Sequence, residues 1–307
     1  MLYTEHMRID PAYRAALHRV GLDSVARVLA RTDGRVVAWS RSTETLLVPG
    51  VDDMPGFYVK RYYFARWANR LRGFFRGTFF GMHRGQAEYR ALNALREAGI
   101  PAVRAVAYGE RRVGHFLAAC FLITEEVPDA VNLTHFALRV ADGHIGLSRA
   151  QRYRLIRALA TQLAALHAAG LSHGNLFWRN ILVRSGPDGS PEFFFLDAHP
   201  LRAWERLRTG ATWWCRELAQ VAVSALPFTT RTERLRFMRH YCECARLPAA
   251  LKSHLRQIGA LAEAWRRHED RRIRMQCLFE RWNEQLALEE RWPAGSEAAA
   301  GCAEPSA

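Results

Sequence analysis

The sequence predicts an α+β protein in two lobes, an antiparallel sheet forming the amino-terminal lobe and helices most of the carboxy-terminal one. Three patterns carry that expectation. Short apolar runs between Gly34 and Thr124 are separated by turn-forming residues, as the strands of a meandering sheet are. One segment of helical spacing, Arg84 to Ala98, interrupts them. Beyond Ser148 the helical period dominates, broken by a polar loop and a hairpin pattern between Leu171 and Asp197. The expected limits are 1–128 for the first lobe, which includes a helical extension at its start, 129–292 for the second lobe, and 293–307 for a tail.

Asp10 to Ala30 has the spacing of a short amphipathic helical region. From Gly34 the period changes. Arg35-Val36-Val37-Ala38-Trp39 and Thr45-Leu46-Leu47-Val48 are expected strands, and Phe57 to Tyr63 is a third, set off by Pro49-Gly50 and Pro55-Gly56. Ala87, Ala91, Leu92 and Leu95 then share one helical face, and Gly99 stops that helix. Pro101 to Tyr108 and Gly114 to Thr124 complete five strands, with one helix inserted after the third. Ser148 is a good cap for a long helix running to Gly170, with Leu155, Ile156, Leu159, Leu163 and Leu166 on one face. After Asp197 helices are expected at Thr212 to Leu226, Arg231 to Cys244, Leu247 to His268 and Arg272 to Glu290. The tail from Pro293, rich in Ala, Gly, Ser and Glu, is expected to be disordered.

A chain of 307 residues with 49% hydrophobic content can bury a real core. Met1 to Pro11 is mixed and charged rather than a signal peptide, and no apolar run nears the roughly 20 residues of a bilayer span. A cytosolic chain is therefore expected. The six cysteines show no disulfide or zinc rhythm, and Cys242-x-Cys244 lacks a second pair, so free thiols are expected. The net charge of +14 comes almost wholly from arginine and predicts attraction to nucleic acid, an acidic membrane face or a phosphorylated glycan. A genome favouring arginine codons would give the same excess without a partner, so composition alone does not choose.

The most informative stretch is Leu171-Ser172-His173-Gly174-Asn175-Leu176-Phe177-Trp178-Arg179-Asn180-Ile181-Leu182-Val183. The Gly186-Pro187-Asp188-Gly189 turn and Phe193-Phe194-Phe195-Leu196-Asp197 follow it. A polar loop runs into an apolar strand, and a second apolar strand ends in a lone carboxylate. Protein kinases build their phosphoryl-transfer centre in this order. A loop H-R-D-x-x-x-x-N supplies a base and a metal-binding Asn, and an Asp at the end of the next hairpin holds the metal. Here Asn180 and Asp197 match the Asn and the later Asp, while the base position is Asn175. Lys60 lies inside an apolar and aromatic strand, where a lysine must project into a polar site or snorkel outward.

Five segments in order carry a resemblance. They are Tyr58-Val59-Lys60-Arg61-Tyr62, Glu88-Tyr89-Arg90-Ala91-Leu92, Gly99-Ile100-Pro101 with Val106-Ala107-Tyr108-Gly109-Glu110, Leu122-Ile123-Thr124-Glu125-Glu126, and His173 to Val183 with Leu196-Asp197. Over roughly Val36 to Tyr241 the chain resembles the lipopolysaccharide kinase family, the Kdo and core-heptose kinases with their InaA-like relatives. That family is a divergent branch of the protein-kinase-like fold. The resemblance implies that Lys60, held by Glu88, meets the α- and β-phosphates of ATP. It implies that the hinge from Glu125 to Val127 binds adenine through its backbone, and that Asn180 and Asp197 bind Mg²⁺. Two protein ligands suffice for Mg²⁺, because water and phosphate oxygens complete its octahedron. His173 is expected to orient the loop. Ser40-Arg41-Ser42-Thr43-Glu44-Thr45 would cover the phosphates in place of a glycine-rich loop.

Asn175 cannot take a proton as a carboxylate does. Phosphoryl transfer leans on positioning and charge neutralisation, because its transition state is loose. Asn175 is therefore expected to orient the acceptor hydroxyl in place of a base. The plainer alternatives are a solvent-facing Lys60 with a surface Glu88, a loop-capping Asn180 and a helix-capping Asp197.

Between Lys60 and Arg84 lie seven basic residues and no acidic one, interleaved with Tyr62, Tyr63, Phe64, Trp67, Phe74, Phe75, Phe79 and Phe80. Such a segment suits the interface of an anionic glycolipid membrane, arginines on phosphate and rings at headgroup depth. The plain alternative packs the rings under the sheet. Single-stranded nucleic acid could use the same mix, but no nucleic-acid motif accompanies it. Taken together, the expected activity is Mg²⁺-dependent transfer of the ATP γ-phosphate to a Kdo or heptose hydroxyl of the lipopolysaccharide core, by a protein peripheral on the cytoplasmic face of the inner membrane. Two alternatives stay open: a nucleotide-binding pseudokinase that scaffolds glycolipid assembly, and a soluble small-molecule kinase of the aminoglycoside-kinase type. The acceptor hydroxyl and the oligomeric state are not legible.

Overall fold

A computed structural model describes residues 3–40, 42–52, 54–64, 82–201 and 210–291, with side chains to residue 278 except that of Ala211. Most of the basic aromatic insert (65–81), Arg41 of the expected phosphate cover and the 293–307 tail lie outside the described residues.

The amino-terminal lobe is a six-stranded antiparallel sheet in the order β1-β5-β6-β4-β3-β2. The strands are β1 (Tyr3–Ile9), β2 (Arg35–Ser40), β3 (Thr43–Val48), β4 (Phe57–Tyr63), β5 (Ala105–Val113) and β6 (Phe116–Glu125). One strand more than expected is present. β1 pairs with β5 from Tyr3↔Val113 to Ile9↔Ala107. Its side chains are mostly exposed, as those of an edge strand are, and only Met7 and Ile9 turn toward the core, so the apolar pattern is too short to reveal it in sequence.

The expected strand from Pro101 also starts late. Before β5, Val103 N–H donates to Phe195 C=O at 2.9 Å and Phe195 N–H to Pro101 C=O at 3.1 Å. This segment therefore joins the sheet lobe to the hairpin that ends at Asp197.

Helices α1 (Arg14–Arg19) and α2 (Val25–Ala30) lie in the amino-terminal extension, and α3 (Arg84–Glu97) follows β4. Leu17, Leu22 and Val28 pack with Leu46, Phe57, Phe121 and Ile123 in one core. A second core joins the lobes: Leu92 and Leu95 of α3 share it with Leu163, Leu176, Ile181 and Phe195. Each fully buried aliphatic or aromatic side chain of this kind is worth about 1.5–3 kcal/mol, so the site between the lobes rests on a stiff floor.

His83 caps α3, its Nδ1 accepting from Gln86 N–H at 3.2 Å. Burial pushes its imidazole down to about 4, with Glu110 opposing. In the unfolded chain a histidine takes its proton near pH 6.5. Between about 4 and 6.5 the unfolded state thus binds more protons, and stability falls as pH drops through that window. His83→Asn keeps a capping side chain that does not titrate. Urea unfolding at pH 7 and pH 5 is expected to show a smaller acid loss in this variant than in wild type. Equal losses would contradict the assignment.

The carboxy-terminal lobe contains α4 (Leu133–Ala141), α5 (Arg149–Ala168), α6 (Trp213–Ala225), α7 (Arg231–Tyr241) and α8 (Leu251–Arg291). A small sheet, β7 (Val131–Asn132), β8 (Ile181–Ser185) and β9 (Pro191–Phe195), is set against them. Ser148 and Gln151 form a reciprocal capping box at the start of α5. The two helices expected at 247–268 and 272–290 are one continuous α8. The charged Glu269-Asp270-Arg271 run does not end it, because Glu269 points inward and is buried.

Candidate active site

Lys60 sits on β4, paired opposite Thr45 of β3 and Leu122 of β6. Alternation puts Lys60 and Tyr62 on one face of the strand, and both reach Glu88 on α3. Lys60 Nζ lies 3.0 and 3.2 Å from the two Glu88 oxygens, and Tyr62 Oη donates to Glu88 Oε2 at 3.0 Å. The same ammonium donates to Asp197 Oδ1. One lysine thus ties sheet, helix α3 and the end of the β9 hairpin together.

Asp197 has φ +58°, a left-handed conformation that few non-glycine residues adopt. Its second oxygen accepts from Asn175 Nδ2 at 2.6 Å. Asn175 in turn offers its backbone carbonyl to Asn180 Nδ2 at 2.9 Å. Lys60, Glu88, Asn175, Asn180 and Asp197, far apart in sequence, therefore form one connected network.

Burial would lower the Lys60 ammonium, but Glu88 and Asp197 outweigh it and hold it well above the usual lysine value. Burial favours the protonated form of Asp197 as well, yet Lys60 and His199 hold the carboxyl below the carboxylate range. For Glu88 burial wins over Lys60 and raises the carboxyl. Asp197 is thus the carboxylate of the pair that is biased toward its charged form.

His199 was not singled out in sequence. Its Nε2 lies 3.3 Å from Asp197 Oδ1. Donor atoms of Glu88, Asp197 and His199 fall within 4.8 Å of one another. Glu88 is already held by Lys60 and Tyr62, and imidazole is a poor match for a hard cation. The fitting donors for Mg²⁺ are the oxygens of Asp197 and the Oδ1 of Asn180, whose Nδ2 is committed to Asn175.

The loop is braced from beneath by α6. Glu217, buried, accepts from His173 N–H at 3.2 Å and Gly174 N–H at 2.5 Å. Gln220 accepts from Leu176 N–H at 2.7 Å, and Ser224 Oγ from Trp178 N–H at 3.3 Å. His167 Nε2 stands 3.0 Å from Glu217, and Tyr241 Oη 2.7 Å from His167 Nδ1. From α8, Glu269 accepts from Ser224 Oγ at 2.9 Å and Arg179 at 2.5 Å.

Gly174 has φ +79°, and a Cβ there would stand 1.7 Å from His199 O, so glycine alone fits. His173 is buried and its Nδ1 accepts from Asn175 N–H at 3.2 Å. Burial pushes its imidazole down to about 4, leaving it neutral and able to accept. The bracing residues carried one signal in sequence: Glu217, Gln220 and Ser224 are polar at helical spacing inside a segment otherwise apolar except for Arg216.

Glu125 and Val127 stand apart from this network. Glu125 N–H donates to Arg104 C=O at 2.9 Å, and its carboxylate accepts from Tyr13 Oη at 2.7 Å. The Val127 carbonyl accepts from Ala130 N–H at 3.2 Å. A separate apolar cavity of about 380 Å³ lies among the carboxy-terminal helices, and none of the network residues lines it.

A lysine–glutamate pair from sheet and helix, facing a loop asparagine and a hairpin aspartate above a helical lobe, defines a protein-kinase-like fold. Within that class, the chain belongs to the lipopolysaccharide kinase (Kdo/WaaP) family, whose model matches residues 22–241. It is 34% identical over 158 residues to the lipopolysaccharide core heptose(I) kinase WaaP of Pseudomonas aeruginosa, covering 50% of this chain and 58% of that protein. It is 28% identical over 173 residues to the 3-deoxy-D-manno-octulosonic acid kinase of Pasteurella multocida, covering 56% and 65%. The chain thus spans less than two thirds of the length of these relatives. Among solved structures, WaaP in complex with acyl carrier protein matches with a TM-score of 0.56 at 24% identity, over 87% of this chain and 99% of that one. At that identity the likeness is one of fold.

Proposed function

We propose that this protein transfers the γ-phosphate of ATP to a Kdo or heptose hydroxyl of the lipopolysaccharide core. The observation that carries this is the single ammonium of Lys60 shared by Glu88 and Asp197, with Asn175 linking Asp197 to Asn180. The family and the names of its relatives supply the substrate class. Lys60, fixed by Glu88 and Tyr62, grips phosphate oxygens, and the Glu125–Val127 segment takes the adenine. Asp197 and Asn180 hold Mg²⁺, which when bound neutralises charge on the β- and γ-phosphates. Asn175 Nδ2 is committed to Asp197, which leaves its side-chain oxygen to orient the acceptor hydroxyl. Among the described residues no helix is long and apolar enough to cross a membrane. In this proposal the basic aromatic segment between Lys60 and Arg84 docks on the anionic glycolipid surface, with the catalytic cleft on the cytoplasmic side.

The test is incubation with MgATP and purified core glycolipid. Phosphate is expected on the glycolipid. ATP binding without transfer would favour a scaffolding pseudokinase, which the amide at position 175 makes the competing proposal. Transfer to soluble aminoglycosides with no response to lipid would favour a small-molecule kinase.

Asn175→Asp tests the local geometry. It places a carboxylate where Nδ2 now stands 2.6 Å from Asp197, and two carboxylates that close repel unless a cation or proton intervenes. Metal-free variant is expected to melt several degrees below wild type and to regain most of that loss with MgATP. An unchanged metal-free melting temperature would contradict the contact.

A further inference from the structure

On the surface of the helical lobe, α5 and α7 enclose a cleft of about 500 Å³ lined by Tyr153, Arg157, Arg236, Arg239, His240 and Glu243, among others. We propose that this cleft is a second binding site, for a ligand bearing a multiply charged phosphate group. Its arginines share one cavity and are not neutralised by carboxylates. Arg152, on the same helix α5, is by contrast paired with Glu233. Among the described residues, none of Arg157, Arg236 and Arg239 lies within ion-pair distance of one. Three arginines therefore line one concave volume whose lining includes a single acid, Glu243. Like charges gathered this way repel unless an anion joins them.

Two of the groups are already oriented. The Arg236 guanidinium lies 5.9 Å from the Tyr153 ring centre, and His240 Nε2 stands 3.1 Å from Tyr153 Oη. The local field is felt at His240, where burial and then Arg157 and Arg239 lower the imidazole below its ordinary value. Guanidinium forks match phosphate oxygens in pairs. A tetrahedral phosphate offers oxygens in three directions to the three arginines that line the cleft, whereas a planar carboxylate offers two in one plane. The volume lies within the range of small-ligand sites and takes a pyrophosphate or a lipid phosphate headgroup. The cleft shares no residue with the Lys60–Asp197 network, so it stands or falls separately from the proposed transfer reaction.

Arg157 and Arg239 are exposed, so their joint replacement by alanine leaves the core untouched, and melting without ligand checks this. Calorimetry with inorganic pyrophosphate is expected to show at least tenfold weaker binding to Arg157→Ala/Arg239→Ala than to wild type. Arg27→Ala, on the amino-terminal lobe, is expected to bind as wild type does. A parallel arm uses phosphatidylcholine vesicles with and without phosphatidic acid. Loss of both pyrophosphate and phosphatidic-acid binding in the double variant supports the site and assigns it to a lipid headgroup. Loss of pyrophosphate binding alone supports it and assigns a soluble phosphate. Unchanged pyrophosphate binding in the double variant overturns the proposal.

Discussion

Replacing Glu217 by alanine is expected to cost about 3–5 kcal/mol of folding stability, the range for breaking a buried charged network from one side. The carboxylate is 1% exposed. It receives two backbone N–H groups of the catalytic-type loop and faces His167. Alanine would leave His173 N–H and Gly174 N–H buried without an acceptor, each costing about 1–3 kcal/mol. A globular domain has only about 5–15 kcal/mol in total, so much of the folded margin is at stake. Glu217→Gln keeps the shape and one acceptor oxygen, and an intermediate loss is expected. Urea unfolding of the three proteins at pH 7 measures this. A loss under about 1 kcal/mol for Glu217→Ala would contradict the bracing role.

What could be seen in advance followed physical contrast. Lys60 stood out as a charge within an apolar strand, and Asp197 as a lone carboxylate closing one. Local contrast of that kind survives without knowledge of the fold. β1 had little, with only Met7 and Ile9 half-buried against the core, and its pairing with β5 makes it a strand. The expected gap between helices at His268 and Arg272 hides a buried Glu269, whose partners Ser224 and Arg179 come from other elements. His199 could not be placed, since only the left-handed turn at Asp197 brings its ring back onto the carboxylate. Tertiary partners therefore decided the brace and the far side of the site, while local pattern revealed its centre.

Asp197→Ala is expected to carry the largest effect on activity. The residue accepts from Lys60 and Asn175, and Lys60 and His199 hold its buried carboxyl below the usual carboxylate range. Under the proposed function its loss removes the charged ligand for Mg²⁺, and it frees Asn175 from its only described side-chain anchor. Electrostatic groups aimed at a phosphoryl-transfer centre are worth about 10²–10³ in rate for one donor. In the proposed role of metal ligand, a charge that also positions two neighbours is expected to reach about 10³-fold or more, which at 1.36 kcal/mol per decade is about 4 kcal/mol of transition-state stabilisation. Stability is expected to change little by comparison, because Lys60 keeps Glu88 as its counter-charge.

The most direct measurement compares phosphate transfer from MgATP to core glycolipid by wild type and Asp197→Ala, under identical conditions. A rate in wild type that falls about a thousandfold or more in the variant is the expected result. Equal transfer by both proteins would contradict the convergence of Lys60, Asn180 and Asp197 on one nucleotide.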